Sequence, residues 1–212
     1  MALTVLPLLD LINSDSTEEE IKNLLFSFEC KSFSFECKSL SFGASDVEYF
    51  LHNKAVNFET MDMARTYLLL STYQNKIYLA GYFSIANKPL VIPKKQFTSK
   101  KISNSLRKRL MGFGHRTDMK NYECKGYLLG QLGKNYSEIA KKANQVSGND
   151  LLTLAYEKIK EAHSIVGGRV LHLECEDNEK IKKFYSENGF VQLEDYESPN
   201  NFCLFVKQIS DL

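Results

Sequence analysis

Asn178, Ile181 and Tyr185 stand at i, i+3 and i+7 of the stretch N-E-K-I-K-K-F-Y-S-E-N-G-F, which runs from Asn178 to Phe190. At 3.6 residues per turn these positions share one helical face. A side-chain amide, an apolar packing residue and a phenol would then look at one object, expected to be a ligand. Gly189 supplies a left-handed turn that ends the helix, and Phe190 opens a buried strand. A second group lies upstream, where Gln145, Val146, Ser147, Gly148, Asn149 and Asp150 precede the apolar-periodic run Leu151, Leu154, Ala155, Ile159, Ala162. The first turn of a helix has unpaired backbone N–H groups and the positive end of the dipole. A loop without a bulky side chain at Gly148 therefore makes a seat for an anion such as a pyrophosphate.

In this order the two groups resemble the GNAT acetyltransferase superfamily. The Asn178/Tyr185 spacing is similar to the family's closing segment, in which an Asn seven residues before a Tyr touches the pantetheine arm and the Tyr stands beside the coenzyme A sulfur. Gln145 to Asp150 looks like the family's Q/R-x-x-G-x-G/A loop. One position departs: Asp150 stands where the family usually has Gly or Ala, and a carboxylate beside a pyrophosphate is repulsive. Asp is also favoured in the first turn of any helix, and its amide can serve an anion while its side chain points outward. L-G-Q-L-G-K, from Leu129 to Lys134, resembles the family's central strand, which splays from its neighbour and leaves backbone groups for the cofactor. Leu132, Gly133 and Lys134 thereby join Gln145 to Asp150, Asn178 and Tyr185 as expected coenzyme A contacts. Gly130 and Gly133 read equally as a bend or a strand end.

The resemblance implies an α/β (α+β) fold, with a central mixed, mostly antiparallel sheet splayed at the central strand and flanked by helices. It implies a bacterial acetyl-CoA-dependent N-acetyltransferase working by direct transfer in a ternary complex. Tyr185 is the expected general acid, since a phenol can donate a proton to the departing sulfur; a core tyrosine beside Phe184 is its structural alternative. Asn178 fits a pantetheine contact and a helix N-cap equally well. Val170, His172 and Glu174 alternate onto one strand face. Glu174, at a position resembling the base of some N-terminal acetyltransferases of the superfamily, is the first candidate for a water-relayed general base; His172 is second and Glu123 third. Cys124 and Cys175 lack a His in dyad spacing, so neither is expected to be an acyl-cysteine nucleophile.

The elements that must hold these residues are legible in outline. Glu18 to Phe26 reads as a short helix. Phe26 to Ser32, F-S-F-E-C-K-S, recurs letter for letter as Phe33 to Ser39, and its Phe/Ser alternation favours a strand for the second copy, leading into Leu40 and Phe42. Asp46 is expected to cap a helix with Val47, Phe50, Leu51 and Phe58 on its apolar face. Arg65 to Thr72 and Ile77 to Ile85 read as strands joined at Gln74-Asn75. A further strand is expected from Tyr122 to Lys134, another from Arg169 to Cys175, and a hairpin from Phe190 to Tyr196 and Phe202 to Ile209.

With 212 residues the chain is expected to form a single domain, 1–212, with an N-terminal extension over 1–39 and a basic insertion over 86–121. The formal net charge of +1 gives no global argument for nucleic acid or membrane binding. Met1 to Ile12 lacks a basic flank and makes no signal peptide, and no apolar run approaches the roughly 20 residues that cross a bilayer. The five cysteines, Cys30, Cys37, Cys124, Cys175 and Cys203, match no zinc spacing. Reduced thiols in a cytoplasm, with no metal, are expected. The acceptor is expected to be a small-molecule, protein or peptide amine, and a homodimer is compatible with the fold. Lys94, Lys95, Lys100, Lys101, Arg107, Lys108 and Arg109 form the one local charge concentration. A solvated helix over Lys100 to Leu110 accounts for it. So does an RNA-contacting patch, as in GNAT toxins that acetylate aminoacyl-tRNA. A non-catalytic acyl-CoA-binding or interaction module is the alternative from another class.

Overall fold

The computed structural model describes residues 3–30, 42–93, 115–116, 121–194 and 201–212. Strands β1 (Thr4–Pro7), β2 (Arg65–Tyr73), β3 (Lys76–Asn87), β7 (Gly126–Lys134), β8 (Val170–Cys175), β9 (Val191–Gln192) and β10 (Cys203–Gln208) form a mixed sheet in the order β1-β2-β3-β7-β8-β10-β9. β1 with β2, β2 with β3, β8 with β10 and β10 with β9 pair antiparallel, and β7 pairs with β8 in parallel. That parallel register covers only Gly126 to Leu128 against Val170 to His172, although both strands run on. The expected sheet, splayed at its central strand and accompanied by helices, is present.

Two compact units can be described in turn. The first contains Met1–Ala86 and Gly130–Glu157. Its β2–β3 hairpin turns at Gln74 and Asn75, both with positive φ (49° and 62°), the conformation a tight two-residue hairpin turn requires. Helices α1 (Leu8–Ile12), α2 (Glu18–Phe26), α3 (Phe42–Asn53) and α4 (Ala55–Thr60) contribute to a core built on Leu8, Leu25, Phe28, Leu51, Leu68 and Tyr82. At α2 the reciprocal Thr17–Glu20 capping box fixes the helix start.

The second unit contains Asn87–Leu129 and Lys158–Leu212. A small sheet of β4 (Leu90–Pro93), β6 (Asn121–Cys124) and β5 (His115–Arg116) lies in it, in the order β4-β6-β5. Leu90, Ile92 and Cys124 from this sheet pack with Val170, Leu193, Leu204 and Val206. The chain also carries α5 (Glu138–Ala143), α6 (Gly148–Val166) and α7 (Glu179–Glu187).

Four expectations are corrected. The single strand from Tyr122 to Lys134 breaks at Lys125, because β6 and β7 belong to different sheets. A Cβ on Gly126 would stand 2.1 Å from the Val170 carbonyl oxygen, so only glycine lets β7 start against β8. Asp46 does not cap a helix: α3 begins four residues earlier, and the Asp46 carboxylate instead accepts a hydrogen bond from Gln131 Nε2 at 3.1 Å. Phe42 therefore starts a helix rather than continuing a strand, and Phe58 lies on α4, beyond a break at Lys54. The second repeat copy, the basic run and the turn through Ser198 and Pro199 fall outside the described residues.

Candidate active site

In the first unit the loop into α6 is held from beneath. Ser71 Oγ and Tyr78 Oη, on register partners of the β2–β3 hairpin, donate to Gln145 Oε1 at 2.6 and 3.2 Å. Gln145 Nε2 donates to the Thr72 carbonyl at 3.4 Å, and Val146 is buried. The Gln145 side chain thus orders the loop from within the protein. Sequence reasoning missed Ser71 and Tyr78; the available signal was a buried polar pair inside an otherwise apolar hairpin.

Ser147 and Asp150 close a reciprocal box at the start of α6. Asp150 Oδ2 accepts from the Ser147 N–H at 2.7 Å and its hydroxyl at 2.6 Å, and the Asp150 N–H donates to Ser147 Oγ at 3.2 Å. This is the capping-box pattern with Asp in place of Glu. The bonds from Ser147 hold the Asp150 carboxyl below its ordinary range, and the Lys134 charge adds to the effect. The structure assigns two of the loop amides, those of Ser147 and Asp150, to the helix start rather than to an open anion seat. Gly148 and the exposed Asn149 lie between them.

Lys134 is the cation nearest in role to this loop: its Nζ donates to Asn144 Oδ1 at 3.1 Å, where the chain turns with φ 43° between α5 and α6. Leu132 is half-buried. Gly133 has a packing explanation, since an added Cβ would meet Val47 Cγ1 at 2.7 Å and Phe28 Cζ at 2.8 Å. Gly130 is exposed, with the Ser84 carbonyl 3.8 Å from where its Cβ would stand.

In the second unit Asn178 is the N-cap of α7. Its Oδ1 accepts from the N–H groups of Lys180 and Ile181 at 2.9 and 3.4 Å, which leaves the Nδ2 donors for other work. Tyr185 is buried one helical face along. Its ring meets Phe184, Phe190 and Phe205 at centroid distances of 5.1, 5.6 and 6.0 Å. Gly189, at φ 79°, takes the left-handed conformation expected at the helix end, and the Phe190 N–H returns to the Tyr185 carbonyl at 3.1 Å.

The strand candidates separate by face. Phe205 is the register partner of Leu173 and touches Tyr185, whereas His172 and Glu174 oppose Val206 and Leu204 and so lie on the other face. Glu174 is exposed. Glu123, on β6, is paired with Lys125 at 3.0 Å. His172 is only 4% exposed, and its Nδ1 has no hydrogen-bond partner among the described residues. Burial lowers its pKa to about 4, the Lys88 charge works in the same direction, and a hydrogen bond with the Tyr127 backbone opposes them. His172 is therefore neutral in the folded protein near pH 7.

A depressed histidine pKa has a defined consequence for stability. Below its ordinary value of about 6.5 the unfolded chain takes up a proton that the folded chain refuses until about pH 4. Stability should fall by about 2 kcal/mol between pH 7.5 and 5 on this account. His172→Gln should flatten that slope, as read from denaturant melts at the two pH values. An equal slope in the variant would place the proton uptake elsewhere.

Among the described residues no group of three His, Cys, Asp or Glu could hold a metal ion, and no helix is long and apolar enough to cross a membrane.

The mixed sheet and its accompanying helices form a GNAT fold. Solved structures of that fold match nearly the whole chain. A tyrosine-to-phenylalanine mutant of the toxin AtaT, bound to the C-terminus of the antitoxin AtaR, matches 99% of this chain and 94% of its own at 16% identity, with TM-score 0.58. AtaTR bound with acetyl-CoA matches 98% and 94% at 18% identity and TM-score 0.56. AtaT complexed with acetyl-methionyl-tRNAfMet matches 96% and 94% at 21% identity and TM-score 0.56. No family model and no curated protein sequence matches the chain.

Proposed function

We propose that this chain is an acetyl-CoA-dependent N-acetyltransferase whose acceptor is the α-amine of an aminoacyl-tRNA. The observation that carries this reading is the fold match, over nearly the whole chain, to a toxin complexed with acetyl-methionyl-tRNAfMet. A match to a complex holding acetyl-CoA supports the cofactor. The chemistry of the loop fits such a group: a helix N-terminus at Gly148, ordered by Gln145 and Val146, offers backbone donors, and Lys134 offers charge. Within the first unit Leu132, Gly133 and Lys134 would offer backbone groups to the cofactor; within the second, Asn178 Nδ2 would be a donor for it. Bound acetyl-CoA supplies an activated acetyl thioester. Tyr185 would give its phenolic proton to the departing sulfur. Glu174, on the opposite face of β8, would take a proton from the incoming amine through water, with His172 or Glu123 as its substitutes.

A cytoplasmic protein with access to charged tRNA fits this chemistry, as does the basic run from Lys94 to Arg109. A peptide partner fits the match to a toxin bound by its antitoxin. Thiol release from acetyl-CoA should be measured with charged tRNA, uncharged tRNA, peptides and small amines. Acetyl-aminoacyl-tRNA is the expected product. Turnover on a peptide or small amine, with none on charged tRNA, would overturn the acceptor while leaving the transferase reading. Binding of charged tRNA should weaken steeply between about 50 and 200 mM salt, as phosphate contacts require. Alanine at Lys100, Lys101, Arg107 and Lys108 should weaken it as well.

Asp150 sets a further expectation. Its carboxylate holds the Ser147 donors and adds negative charge at the loop. Asp150→Ala should therefore tighten acetyl-CoA by about 5- to 10-fold, the equivalent of about 1 kcal/mol of relieved repulsion at the surface. Losing the box should cost helix stability of a similar size. Calorimetry and a melting curve on the same variant separate the two effects, and weaker binding in a fully folded variant would mean that the box builds the seat.

A further inference from the structure

Cys175 and Cys203 have no part in the proposed transfer, and they stand directly opposite each other where the end of β8 meets the start of β10. Opposed residues of an antiparallel pair lie about 4.5–5.5 Å apart between Cα atoms. A disulfide spans about 4.4–6.8 Å. Opposed side chains also share a sheet face, and the Cys175 thiol feels the charge of Cys203. Both residues end their strands, so the ladder does not hold them from further residues on both sides.

The surroundings are polar on one side. The half-buried Cys203 thiol hydrogen-bonds to the Asp177 carboxylate, which is also held by Lys182 Nζ at 2.6 Å. Burial and the Asp177 charge raise the Cys203 thiol, whereas the Lys182 charge favours the thiolate at both cysteines. We propose that Cys175 and Cys203 form a reversible dithiol–disulfide site that exchanges with low-molecular-weight disulfides.

The chemistry balances in two exchanges. The Cys203 thiolate attacks one sulfur of the small disulfide, a mixed disulfide forms, and one small thiol leaves, carrying the proton that Cys203 lost. Cys175 then attacks the Cys203 sulfur, the protein disulfide forms, and the second small thiol leaves with the Cys175 proton. Two protein thiols are oxidised and one small disulfide is reduced to two thiols. Burial pushes the Cys175 thiol up to about 12, so the more exposed Cys203 attacks first and the exchange is slow.

The site adjoins the helix of Tyr185. Asp177 precedes the N-cap Asn178, and Phe205, two residues past Cys203, packs on the Tyr185 ring. Closure removes the thiol donor from Asp177 and ties β8 to β10 on the face that carries Tyr185.

The full chain should be equilibrated with oxidised glutathione, alkylated, digested and mapped by mass spectrometry. The expected result is a peptide pair linked through Cys175 and Cys203, loss of two thiols, and full return with dithiothreitol. Closing the intervening loop restricts the unfolded chain, so the linked protein should melt several degrees higher. Cys203→Ser, at a half-buried position, should abolish the link, whereas Cys30→Ser should leave it intact. Glutathione retained on Cys203 after prolonged incubation, a dominant link through any other cysteine, or no thiol loss would each overturn the proposal. None of these readouts depends on acetyl transfer.

Discussion

Tyr185→Phe is expected to lower kcat by about 10- to 1000-fold, with acetyl-CoA affinity nearly retained. The substitution keeps the ring that meets Phe184, Phe190 and Phe205, so no cavity opens and the fold should be unaffected. Any loss of rate then belongs to the hydroxyl. A proton delivered to the leaving sulfur acts in the transition state, and its removal should appear in turnover rather than in binding. Water can partly replace a phenol, which sets the lower end of the range. The measurement is thiol release at saturating charged tRNA, beside calorimetry with acetyl-CoA on the same variant. Unchanged turnover would remove the general-acid role. Lost binding with intact turnover at saturation would make Tyr185 a cofactor-positioning residue.

Why the helix that carries Asn178 and Tyr185 is legible in the sequence, whereas other features are not, follows from the range of the interactions involved. The α7 motif is local: a cap at Asn178, a face through Tyr185 and a stop at Gly189 are set by neighbours within one helix. The Gln74-Asn75 turn and the helix from Glu18 to Phe26 are local in the same sense. Breaks imposed by distant chain were missed. Lys125 ends a strand because the Arg169 N–H bonds its carbonyl at 2.8 Å and Val170 crowds Gly126, contacts more than forty residues away in the chain. Asp46 carries a good capping side chain, but the partner it finds is Gln131. The helix start after Gln145 to Ser147 is legible in the sequence, while the Ser147–Asp150 box that occupies two amides there needs side-chain geometry to appear. The opposition of Cys175 and Cys203 depends on a strand register that no spacing in the sequence encodes.

Gly148→Glu should weaken acetyl-CoA binding by about 10- to 100-fold, the effect of roughly 1.4–2.7 kcal/mol of added repulsion and lost access at an anion seat. The position is suited to a clean test. Gly148 is the first residue of α6 and is not among the positive-φ residues of the chain, so a side chain there meets no backbone strain. A carboxylate in the first turn even favours the helix through its dipole. The variant should therefore fold at least as well as the parent, and a melting curve at or above that of the parent would establish this before any binding is measured. Gly148→Ala supplies the control for bulk: it should bind acetyl-CoA within a few-fold of the parent, and the difference between the two variants isolates charge. Calorimetry at low salt gives the largest separation, because screening shrinks the repulsion as salt rises. If Gly148→Glu binds acetyl-CoA as the parent does, the pyrophosphate does not sit at the start of α6, and the assignment of Gln145 to Asp150 to the cofactor fails even though the fold remains.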